Sequence, residues 1–101
     1  MSNRQNNPSI GALSFTLRHK ELWPENFHWN YGACSTCAMG LASKLWPQTI
    51  FEVSDVAMMR KAFDLTEQQA QIIFSDVGDI KRCSHNDVTP EMVADVIDVV
   101  A

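Results

Sequence analysis

CSTCAMGLASKLW, residues 34–46, admits two incompatible folds. A Cys-x-x-Cys pair of the redox kind sits on a strand–helix–strand scaffold. A pair that merely opens an apolar helix belongs to a helical bundle. The spacing favours the second. Cys34, Cys37, Ala38, Leu41, Ala42 and Leu45 share one face at a helical period, so a helix is predicted over 34–46. Ser35 or the residue before it is the expected N-cap, and Pro47 the stop.

The flanking sequence agrees with a bundle. Ile10, Leu13 and Leu17 recur at helical spacing from Ser9 towards Trp23, with Phe15 off the stripe. Pro24 closes that segment. Ser54 is placed to cap a helix carrying Asp55 in its first turn, and Val56, Met59 and Phe63 form its inner face. Thr66 and Gln69 make a capping box for a helix that buries Ala70, Ile73 and Phe74, with Gly78 as its terminator. Residues 79–87 read as a polar loop. Thr89 caps the last helix, Pro90 fits its first position, and Val88 can staple onto Val93. Only QTIFEV, residues 48–53, is β-prone, and it is too short and isolated to imply a sheet. The expected fold is therefore all-α: an irregular bundle of about five short helices. Residues 1–8 are expected to be a frayed, flexible start, and 9–101 one helical domain.

One core is what 101 residues can bury. Charge excludes one class of partner. The chain carries −4, and its basic and acidic residues are segregated. Four bases against two acids give residues 1–46 a charge of +2, whereas four bases against ten acids give residues 47–101 a charge of −6. An acidic surface repels phosphate backbones, so direct nucleic-acid binding is not expected and a basic protein surface is. The polar start lacks an apolar signal-like run, and no stretch approaches the ~18 apolar residues of a membrane helix. A reducing cytoplasm, with no membrane contact, is the expected location.

The cysteines carry the alternatives. Cys34, Cys37, Cys83 and His85 compose a three-sulfur, one-nitrogen set suited to zinc, though CSTCA lacks the glycine or proline that turns a zinc knuckle. Cys34 at a helix start could be a redox thiolate, or a nucleophile served by His85 and Asn86 or Asp87. Both chemistries are built on strands that this sequence does not offer. Plain packing comes first: Cys37 shares its face with Leu41 and Leu45, and a buried cysteine behaves as a small hydrophobe. No cofactor and no resident metal are expected, and no catalytic residues are assigned.

Two surfaces stand out. WPENFHWNYGA, residues 23–33, places Trp23, Trp29 and Tyr31 within nine residues, beside Phe27. Such rings either lid the core or meet a partner. The last helix carries Glu91, Asp95 and Asp98 on its outer side, as a solvated face or a contact for a basic partner. His19 and His28 read as solvated. VAMMRKAFDLTEQQAQIIF, residues 56–74, has a faint helix–turn–helix look with Gln68, Gln69 and Gln71, but without surrounding positive charge.

Three pieces in order, FHWNY, CSTCAMGLASKLW and VTPEMVADVID, resemble small uncharacterised α-helical proteins of bacteria and their phages. The resemblance covers about residues 15–100 and implies a compact helical domain, with no activity attached. The expected function is non-enzymatic: binding another protein through Trp23, Trp29, Tyr31, Glu91, Asp95 and Asp98. A phage- or mobile-element-borne inhibitor of a host defence complex, such as an anti-CRISPR, is one such role. The competing reading is a zinc- or thiol-dependent protein. Oligomeric state is left open, a homodimer included.

Overall fold

The computed structural model describes residues 9–32, 37–48, 50 and 56–101. Among these residues the chain forms six α-helices and no strand. They are α1 (Ile10–Leu17), α2 (Ala38–Leu45), α3 (Val56–Phe63), α4 (Glu67–Phe74), α5 (Val77–Lys81) and α6 (Pro90–Val100). Single 3-10 turns lie at Lys20–Leu22 and His85–Asp87. The expected all-α class holds. The expected frayed start at 1–8, the cysteine at 34, the caps at Ser35 and Ser54 and most of QTIFEV lie outside the described residues.

Local chemistry sets most helix ends. Ser9 accepts the Ala12 amide at 3.1 Å and starts α1. Thr66 accepts the Gln69 amide at 3.1 Å while Gln69 accepts the Thr66 amide at 2.9 Å, the reciprocal box expected from sequence. Gln69 does more than close that box: its Nε2 donates to the Val100 carbonyl at 2.7 Å, fastening the end of α6 to the start of α4. Thr89 caps α6 through the Met92 amide, with Pro90 at the first position.

Four sequence readings need correction. The helix expected over 34–46 begins at Ala38, because Cys37 is extended and is itself the cap, its Sγ accepting the Met39 amide at 3.3 Å. α1 stops at Leu17, short of Trp23. Gly78 does not end α4; Ser75 does, with its amide on the Gln71 carbonyl. Gly78 is buried inside α5, a helix the reading of 79–87 as loop missed. A Cβ there would stand 3.1 Å from the Cys83 carbonyl oxygen and 3.5 Å from Val88, so glycine admits the returning chain.

One core joins the elements. Leu13, Leu17, Leu41, Met59, Ile73, Val77 and Val93 are among its fully enclosed side chains. Each predicted inner stripe contributes, and Phe15, off the stripe, is more than half exposed. α1 packs chiefly on α6, α3 on α4, and α4 and α5 both reach α6. α6 is therefore the hub. Among the described residues no helix is long and apolar enough to cross a membrane.

Candidate functional site

The aromatic segment between the first 3-10 turn and α2 is built from backbone anchoring upward. A helix ends with carbonyls that lack helical partners. Two of these rings supply partners. Trp23 Nε1 donates to the Thr16 carbonyl at the end of α1, at 2.7 Å. The Tyr31 hydroxyl donates to the Ile73 carbonyl near the end of α4, at 3.0 Å, and lies against the Val77 amide. Between them, Trp29 Nε1 donates to the Val88 carbonyl just before the α6 cap, at 2.7 Å. The segment is thus pinned at three places along the bundle.

The rings also touch one another. Phe27 meets Trp23 edge-on at 5.4 Å between centroids, and Trp23 meets Trp29 at 6.2 Å. Trp29 meets Tyr31 at 6.2 Å, and Tyr31 stacks on His85 at 5.4 Å. The result is a continuous rail of five rings. Tyr31 is buried, 5% exposed, and burial pushes its phenol above the ordinary tyrosine value. Trp23 and Trp29 are half-buried and keep ring surface towards solvent.

That surface lines an open groove of about 600 Å³. Its apolar wall is Trp23, Pro24, Phe27, Trp29 and Pro90, and Lys20, Glu25 and His28 are its polar lining. Both indole N–H groups are engaged inside the fold, so the wall presents rings and no indole donor. Of the three rings assigned to partner contact, Trp23 and Trp29 reach this groove and Tyr31 underpins it.

The acids of α6 have a different setting from the one expected. Arg18 on α1 meets Asp95 Oδ1 through Nη2 at 2.7 Å and Asp98 Oδ2 through Nη1 at 2.9 Å. Ser14, buried between α1 and α6, donates to Asp98 Oδ1 at 2.9 Å and accepts from Arg18 Nη1 at 2.9 Å. Asp95 and Asp98 therefore clamp two helices together, although each side chain remains over half exposed. Glu91 is exposed and pairs with no described cation. The sequence reading passed over Ser14 and Arg18. Their i, i+4 spacing, facing acids at i and i+3, was the available signal.

The described cysteines and histidines differ in burial. Cys37 is 2% exposed on the inner face, as its stripe predicted, and Cys83 is half-buried after α5. His85 is exposed and stacks on Tyr31. Among the described residues no three His, Cys, Asp or Glu side chains gather closely enough to hold a metal ion; Cys34 lies outside that set. His28 is exposed, as expected, and His19 is half-buried, with local partners on α1. Its ring stacks on Phe15 at 4.0 Å, and its Nδ1 lies 2.7 Å from the Phe15 carbonyl, which can only accept. Gln69, one of three glutamines considered for base reading, is fully engaged in the capping box and on Val100.

Compared with protein-family models, curated proteins and solved structures, the chain matches none.

Proposed function

We propose that this chain acts by binding another protein, without catalysis, through the groove walled by Trp23 and Trp29. One observation carries this reading. The two indoles are held rigidly by internal hydrogen bonds, yet each leaves ring surface in an open, proline-flanked groove. Rigid aromatic surface makes strong contact patches, because it buries much area while losing little side-chain entropy. With the indole donors engaged, the groove selects apolar side chains rather than backbone carbonyls. The net charge of −4 steers the complex towards a basic partner. A host complex with a basic nucleic-acid channel is such a partner, and the exposed Glu91, Asp95 and Asp98 add to the same field.

The test uses residues lining the groove whose side chains do not hold the fold. Glu25 and His28 are exposed, so Glu25→Lys and His28→Lys keep the helical circular-dichroism signal and the melting temperature. The partner captured by the wild-type chain is expected to bind each variant at least about tenfold more weakly, which is ~1.4 kcal/mol. Unchanged binding by both variants would place the contact elsewhere.

A further inference from the structure

A second groove lies between α5 and α6, away from the tryptophans. Val96 and Val100 line it with Ile80 and Val99, and Lys81 on α5 and Asp95 on α6 supply its charges. It encloses about 170 Å³, below the ~300 Å³ at which small-molecule pockets begin. An aliphatic side chain fits that space. Such a side chain stands on the same face: Val99 is 83% exposed, and Ile80 is half exposed. Among the described residues Val99 is the most exposed large hydrophobic side chain.

We propose that this face binds a second copy of the chain. A two-fold interface requires a patch complementary to itself. Here hole and knob share one face, and so do a cation and an acid. With the two α6 helices antiparallel about the axis, each Val99 enters the other copy's groove. Lys81 and Asp95 line the same groove, so the face offers a second copy both a cation and an acid; Asp95 Oδ1 already holds Arg18, but its side chain is still 58% exposed. Any other occupant must bring its own knob, acid and base in matching order, whereas a second copy brings all three. The patch is small beside the ~800 Å² per partner of stable complexes, so the dimer is weak and forms at high concentration. It does not depend on the tryptophan groove.

Sedimentation velocity over a dilution series tests this on the full chain. The wild type is expected to shift from monomer towards twice the monomer mass as concentration rises. Val99→Glu raises the dissociation constant at least about tenfold. Lys81→Glu raises it more than Lys61→Glu does, a variant of equal charge change on the exposed side of α3. Circular dichroism confirms that each variant is folded. A wild type that stays monomeric to millimolar concentration overturns the proposal. So does a dimer that ignores both Val99→Glu and Lys81→Glu, since another occupant would then be needed for this face. Glu25→Lys leaves dimerisation unchanged, so loss of either reading is seen separately.

Discussion

Tyr31 is the chain's single tyrosine, and it joins surface to core. Its ring sits in the aromatic rail while its hydroxyl bonds the Ile73 carbonyl near the end of α4. Tyr31→Phe is expected to cost about 1–3 kcal/mol at neutral pH, because a buried carbonyl loses its donor. The pH dependence has a defined sign. Burial raises the folded phenol above its unfolded value near 10, so the folded state holds its proton longer. Its contribution is fully present below about pH 10 and is lost as pH rises beyond that. Phenolate absorbance should therefore stay absent in the folded chain past pH 10 and appear with unfolding. Phenolate forming at the ordinary value, with helical signal intact, would show that Tyr31 is not enclosed. The sequence showed that the rings cluster. It could not show what their polar atoms bond, since Val88 and Ile73 are distant in the chain and all three partners, the nearby Thr16 included, offer only backbone carbonyls.

Helices were legible where local chemistry sets them. The Thr66–Gln69 box and the Thr89–Pro90 start each rest on residues within one turn, and both appear as read. Elements set by distant contacts were not legible. α5 has five residues, too few for a periodic signal, and its buried Gly78 reflects the approach of the Cys83–Val88 segment. The α1–α6 clamp likewise joins residues about eighty positions apart. It changes what α6 charge reversal should do. A solvated face would tolerate Asp95→Lys with Asp98→Lys. Here both lysines face Arg18, and Ser14 loses its carboxylate acceptor. A loss of about 1–2 kcal/mol is expected, discounted for the exposure of the acids and smaller in high salt. An unchanged melting temperature at low salt would mean that the clamp carries no stability.

At the scale of the whole molecule, α6 is the hub and the aromatic segment a strap across the bundle. The strap reaches the end of α1, the entry to α6 and the end of α4, so it is anchored at all three by side-chain hydrogen bonds. Aromatic ring surface, Pro24, Pro90 and the Lys20, Glu25 and His28 side chains line the groove there. The most direct measurement is site-specific photo-crosslinking in cells that carry the gene. One photoreactive residue is placed at His28, in the tryptophan groove, and another at Gln68, in the polar groove of α4. The expected result is one discrete heterologous protein adduct from position 28 and none from position 68. Adducts only from position 68, or none from position 28 while the wild-type chain still captures a protein partner, would contradict recognition through Trp23 and Trp29.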